Sequence, residues 1–196
     1  MQQGRFDAIW SCIRFSVCPE ERHPGITSMA HQWMLVDDFI EELNDYRAAS
    51  YSPSDRICVD KSTSRSYGLG FHWINIGRPN YVAIERNLDN GCEIQDACDI
   101  RSKVMICLKL VKGYADNKLL ASEDPGGIHG TRVTKKLVAP CRNSGRVVYA
   151  DSYFSSVPCA IAMHDIGLRI IGVVKTATKQ YPQHYLPTVE FPDKGD

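Results

Sequence analysis

Between Arg56 and Thr176, short apolar runs rich in β-branched residues alternate with two amphipathic stretches. No other feature restricts the available folds as much. RICVD (56–60), YVAIER (81–86) and VMICLKLVK (104–112) read as three strands. HGTRVTKKLVAP (129–140) predicts a helix capped by Thr131, with Val133, Leu137 and Val138 as its apolar face and Pro140 as its stop. RVVYAD (146–151) predicts a fourth strand. SSVPCAIAMHDIG (155–167) predicts a helix with Pro158 in its first turn, where a missing N–H costs least. LRIIGVVKT (168–176) predicts a last, buried strand.

Three early strands suit a meander, and helical crossovers then demand parallel pairing. The predicted class is therefore α/β, compatible with an RNase H-like mixed sheet of three antiparallel strands followed by parallel strands with helical crossovers. Other α/β folds share this order. Upstream, Phe6, Ile9, Trp10, Ile13 and Val17 repeat at helical spacing until CPEERHPG breaks the pattern. A second helix is expected from about Met29 to Ala49, with Trp33, Val36, Phe39, Ile40 and Leu43 as its stripe and five acids on the other face. The expected division is an N-terminal helical segment (1–54), a core (55–178) and an irregular Pro-rich tail (179–196).

The formal net charge of zero conceals an asymmetry. Residues 1–60 hold ten acids against five bases, whereas residues 101–150 hold ten bases against three acids. A segment that positive is a candidate footprint for a polyanion, or equally a solvated surface balanced by the acidic helix. The eight cysteines include no CxxC pair, which argues against a zinc site. Several lie in apolar runs, as reduced thiols do, and no export signal or membrane-length apolar stretch is read. An intracellular protein without a membrane partner is expected.

The candidate site is a pair of acids. Asp60 closes the first predicted strand and Asp151 the fourth, 91 positions later. If those strands are parallel neighbours, both carboxylates meet at one end of the sheet. Two carboxylates a few Å apart repel unless a cation neutralises them. Mg²⁺ suits that donor set, and a pair of such ions can activate a hydroxyl and stabilise a leaving oxygen in phosphoryl transfer. The competing reading makes each Asp a turn or cap residue.

The strings YSPSDRICVDKSTSRSYGLG, FHWINIGRPNYVAIERNLDNGCEIQ and RVVYADSYFSSVPCAIAMHDIGLRIIGVVKT resemble the transposase domain of the PiggyBac transposable-element-derived family. RFDAIWSCIRF and MLVDDFIEELNDYRAA resemble its preceding helical segment. The likeness runs from about Arg5 to Pro182. It implies an RNase H-like core, an Asp-Asp-Asp metal site using Mg²⁺, cut-and-paste chemistry on transposon-end DNA and a nuclear location, and it leaves a homodimer open. Asp60 matches the first catalytic aspartate of the family and Asp151 the second. Glu190, Asp193 and Asp196 match no third, so an incomplete or truncated copy is expected. Lys61 stands where the family usually has an acid, Asn87-Leu88 stand for its usual Lys-Pro, and its cysteine-rich tail has no counterpart.

Two functions from different classes follow: a metal-dependent DNA strand-cleaving and strand-joining domain, or a non-catalytic transposon remnant that binds DNA or protein. Arg101, Lys103, Lys109, Lys112, Lys135 and Lys136 are the candidate phosphate contacts. His72, His129 and His164 read as ordinary hydrogen-bonding residues, and Tyr67, Trp73, Tyr153 and Phe154 as packing groups around the two aspartates.

Overall fold

A computed structural model describes residues 4–5, 28–65, 81–84, 89–112, 114–173 and 175. The long acidic helix, α1 (Ser28–Ser50), precedes β1 (Arg56–Arg65), β2 (Tyr81–Ile84), β3 (Asp89–Asp99) and β4 (Met105–Leu110). Then come α2 (Tyr114–Glu123), α3 (His129–Leu137), a 3₁₀ turn (Ala139–Cys141), β5 (Val147–Ala150), α4 (Val157–Asp165) and β6 (Arg169–Gly172). Gly4 and Arg5 are helical; the rest of the first predicted helix and the Pro-rich tail lie outside the described residues.

One mixed sheet organises these elements, in the order β2-β3-β1-β5-β6, with β4 also paired to β3. β1 runs antiparallel to β3 from Ile57↔Asp99 to Arg65↔Gly91. On its other side it runs parallel to β5 from Arg56↔Val147 to Val59↔Ala150, and β5 is parallel to β6. β2 and β4 share the far side of β3, β2 along residues 89–92 and β4 along residues 94–98. The expected switch from antiparallel to parallel pairing is thus present.

Strand alternation decides what is buried. Ile57 and Val59 of β1 point to one face with Ala97 and Val148, and all four are buried. Val133 and Leu137 of α3, with Cys159 and Met163 of α4, close over that face together with Phe154 and Leu168. Each such side chain contributes about 1.5–3 kcal/mol when removed from water. Ser156 caps α4, accepting from the Cys159 N–H at 3.2 Å, and Pro158 sits in the first turn as expected. The free edge of β4 is covered by α1, where the Asn44 side-chain amide donates to the Leu108 carbonyl at 2.8 Å and accepts from its N–H at 2.9 Å. A side chain here completes a ladder that would otherwise offer an open edge.

Several expectations are corrected. Among the described residues four strands, not three, precede the crossovers, because DNGCEIQDACD forms β3, the longest of them. Its acids, Asn90 and Gly91 read locally as turn material, yet it is paired on both sides. Asp60 does not end β1, which runs on to Arg65; only the pairing with β5 stops beside it. α2 was not expected: of its described side chains only Leu120 is buried, and these form no apolar stripe. Thr131 lies inside α3, buried at 3% exposure, and the N-cap is Ile128. β6 is not buried: Ile171 is 54% exposed, because β6 is the last strand of the described sheet.

The turn before β1 is fixed by a buried acid. Asp99 accepts from the Tyr51 hydroxyl (2.5 Å), the Ser54 hydroxyl (2.5 Å) and N–H (3.0 Å), the Arg101 N–H (2.9 Å) and the Ser102 hydroxyl (3.0 Å). Burial by itself would raise its pKa, but the donors from Ser54, Tyr51 and Arg101 together hold the carboxyl well below the usual carboxylate range. Arg146 clasps the same turn, donating to the carbonyls of Pro53 and Ser54, each at 2.8 Å. Asp99→Ala removes a charged acceptor shared by Tyr51, Ser54, Arg101 and Ser102 and should cost about 1.5–3 kcal/mol in denaturant unfolding. A depressed native pKa gives stability that is present above the unfolded value of about 4 and lost as pH falls toward the native one. The melting-temperature gap between wild type and Asp99→Asn should therefore be full at neutral pH and shrink below about pH 4.

Candidate active site beside the parallel strand pair

The register of β1 and β5 creates the site. Val59 and Ala150 are direct partners, so Asp60 and Asp151 are the next residues on adjacent parallel chains, about 4.8 Å apart. Both are exposed. Asp60 Oδ1 accepts from the Lys61 N–H at 2.7 Å. Asp151 Oδ1 accepts from the N–H groups of Tyr153 (2.9 Å) and Phe154 (3.4 Å), and its carbonyl accepts from the Ser155 N–H at 2.9 Å. Asp151 is therefore a turn-forming residue as well as a site candidate, and the two readings are compatible. In each carboxylate the Oδ2 atom has no hydrogen-bond partner among the described residues.

A third carboxylate shares this region. Asp96 of β3 lies directly opposite Asp60 across the antiparallel pair. It is buried and accepts from Ser62 Oγ at 3.0 Å and Cys98 Sγ at 3.3 Å. Burial, then the charges of Asp60, Asp96 and Asp151, push the Cys58 thiol up, which marks all three acids as its neighbours. Burial and the Asp96 hydrogen bond raise the Cys98 thiol to about 12. Both thiols are protonated at neutral pH and serve as packing and donor groups. The sequence reading missed Asp96 because it missed β3. The signal available was the alternation Ile94, Asp96, Cys98 against Gln95, Ala97, Asp99.

The donor chemistry suits a hard divalent cation, since two carboxylate oxygens stand free on adjacent strands. Among the described residues, however, no group of three or more His, Cys, Asp or Glu side chains is arranged to hold a metal ion. Asp96 is turned inward to its own hydroxyl and thiol donors.

The Asp151 turn is braced from below. Phe154 is 1% exposed in the core, and the Tyr153 ring packs edge-on against it at 4.8 Å and against His129 at 6.2 Å. The ammonium of Lys61 sits 4.8 Å from the centre of the Tyr153 ring. Because Lys61 follows Asp60, its side chain leaves β1 on the opposite face, so the cation ties β1 to the Asp151 turn from behind. Gly130 of α3 permits the approach, as a Cβ there would lie 2.5 Å from the Tyr153 carbonyl oxygen.

The candidate phosphate contacts are not brought together. Arg101 and Lys103 are exposed in the β3–β4 turn, Lys103 with φ 65°. Lys109 is buried, its ammonium donating to the Leu110 carbonyl at 3.4 Å. Lys112 pairs with Asp37 of α1 at 2.5 Å, and Lys135 with Asp124 at 2.8 Å. Lys136 is exposed, beside an open cleft of about 270 Å³ that Arg132 and Arg142 also line. His164 is exposed on α4; Tyr67, His72 and Trp73 lie outside the described residues.

A mixed sheet with this switch from antiparallel to parallel pairing, and acids where the parallel pair ends, defines an RNase H-like domain. The family described as Transposase IS4 matches residues 1–193, and the chain belongs to it. A solved structure, the cryo-EM structure of a piggyBac transposase synaptic complex with hairpin DNA, superposes with a TM-score of 0.65 at 19% identity. The match covers 99% of this chain and 37% of that one, so the chain shares its fold and spans little more than a third of its length. No curated relative matches. No helix among the described residues is long and apolar enough to cross a membrane.

Because Gly130 touches backbone rather than a flexible side-chain end, Gly130→Val should force the Asp151 turn aside. It should cost about 1–3 kcal/mol, measured by denaturant titration. Phe154→Ala should cost about 3–5 kcal/mol in the same assay.

Proposed function

We propose that this chain is a transposase-derived, DNA-binding core that holds a divalent cation, Mg²⁺, through Asp60 and Asp151. The observation that supports the reading is the Val59↔Ala150 register, after which Asp60 and Asp151 are the next residues of two adjacent parallel chains, each with one carboxylate oxygen that accepts no hydrogen bond among the described residues. A bound Mg²⁺ would supply Lewis-acid stabilisation of charge on phosphate oxygens. The protein's own groups do the positioning. The Lys61 N–H orients Asp60, the Tyr153 and Phe154 N–H groups orient Asp151, and the Lys61–Tyr153 contact joins the two backbones. Two carboxylates bind such an ion loosely, so strand cleavage and joining require another ligand besides this pair. DNA as partner, a nuclear location and a homodimeric assembly belong to the same reading and rest on the likeness to piggyBac transposases.

A second reading, a transposon remnant that binds DNA or protein without catalysis, is favoured by the arrangement around Asp96. The nearest further carboxylate is already committed to Ser62 and Cys98. The two readings separate on one substrate: Mg²⁺-dependent nicking of an end-labelled duplex supports the catalytic form, and binding without nicking supports the remnant.

Calorimetric titration with Mg²⁺ tests the pair directly. Asp60→Asn or Asp151→Asn should weaken binding at least tenfold with little change in melting temperature, and equal isotherms for wild type and both variants would remove the site. Duplex-DNA affinity should fall steeply between 50 and 200 mM salt.

A further inference from the structure

We infer that the end of the sheet opposite the two aspartates is a second nucleic-acid surface, a row of arginines across four neighbouring chain segments that grips a phosphate backbone. The row follows from the ladder. Arg56 is the first residue of β1 and Arg169 the first of β6, and both are in register with Val147 of β5. Arg146 directly precedes β5, and its carbonyl accepts from the Arg169 N–H at 2.9 Å. The Arg56 carbonyl accepts from the Ile100 N–H at 3.1 Å, which brings Arg101 and the β3–β4 turn alongside. The order across the rim is Arg101, Arg56, Arg146, Arg169. At about 4.8 Å per strand the row spans roughly 14 Å.

Three of the four, Arg56, Arg101 and Arg169, are exposed. Arg146 is half-buried and aligned by the carbonyls of Pro53 and Ser54, and Arg169 spends two donors on the Gly145 carbonyl at 3.3 and 3.1 Å. Hydrogen bonds to neutral carbonyls fix these guanidiniums without cancelling their charge. The acids at this rim are Asp55, 3.6 Å from Arg56, the exposed Asp165 at the end of α4, and Asp99, whose oxygens are already taken by five donors. Lys103, in the same turn as Arg101, adds a further cation.

Guanidinium forks at strand intervals match the planar, bidentate geometry of phosphate oxygens, and a regular polyanion uses several of them together. Asp60 lies four residue steps along β1 from Arg56, a distance of about 13 Å. Nucleic acid held by the row is therefore a flanking segment and not the phosphate presented to the aspartates. The inference rests on the nucleic-acid part of the function proposed above and is independent of its metal.

The test uses the full chain, a fluorescein-labelled 30-base-pair duplex of arbitrary sequence, and EDTA in the buffer, so that a failed Mg²⁺ titration does not bear on it. The triple variant Arg56→Gln/Arg101→Gln/Arg169→Gln should bind at least tenfold more weakly by anisotropy. Its slope of log K against log salt should be shallower by about 2–3. The control Lys118→Gln/Arg142→Gln/Lys175→Gln, at three exposed positions, removes the same charge elsewhere and should weaken binding less than threefold. Equal losses in both variants, or no loss in the arginine variant, would overturn the row while leaving DNA binding intact. A wild-type chain that binds anionic phosphatidylserine vesicles but no duplex would overturn the nucleic-acid assignment itself. If the triple variant loses its far-UV circular dichroism, Arg101→Gln alone, in an exposed turn, should still weaken binding two- to fourfold, and an unchanged affinity would count against the row.

Discussion

The parallel pairing of β1 with β5 is the contact on which the rest of this molecule depends. It joins residues 91 positions apart and places Asp60 beside Asp151 at one end. At the other end the same register sets Arg56 and Arg169 in one row on either side of β5. A slip of one residue would turn Ile57 and Val59 out of the core and carry Asp60 to the opposite face. Burial of that apolar face under α3 and α4 therefore fixes the geometry of the carboxylates. The core and the site are one constraint seen from two sides.

Around that register Asp60, Asp96 and Asp151 gather where the parallel pairing stops. Arginines from three neighbouring chain segments gather where it starts, with Asp55 and Asp99 among them. Asp99 and the half-buried Arg146 also sit at the start, and both hold the turn that launches β1. The ammonium of Lys61, the residue after Asp60, lies against the Tyr153 ring on the far face. A cation next to Asp60 in sequence is thus removed from Asp60 in space, and it braces the partner strand's turn.

Membership of the IS4 transposase family and the shared piggyBac fold give this arrangement its context. The fold brings acids and backbone amides to one rim without regard to whether chemistry follows. Whether a carboxylate is free for a cation is settled locally, by which hydroxyls and thiols lie beside it. Asp60 and Asp151 keep one oxygen open, whereas Asp96 meets Ser62 and Cys98 and is closed.

Much of this was legible before any coordinates. The apolar runs around Ile57, Val148 and Ile106, the Ser156–Pro158 start of α4 and the long acidic helix are local signals, and local signals depend only on side-chain periodicity and capping chemistry. The two aspartates could be named because each follows such a run. β3 and α2 were not legible: β3 is a strand because partners on both sides satisfy its backbone, and α2 lacks a stripe of its own. The basic segment looked like one surface in sequence and is several in space. Lys109 is buried, Lys112 and Lys135 are paired with acids from other elements, and Arg101 joins arginines from residues 56 to 169. Periodicity and spacing specify which face a residue occupies on its own element. Which charges become neighbours is a matter of long-range register, and only the folded sheet decides it.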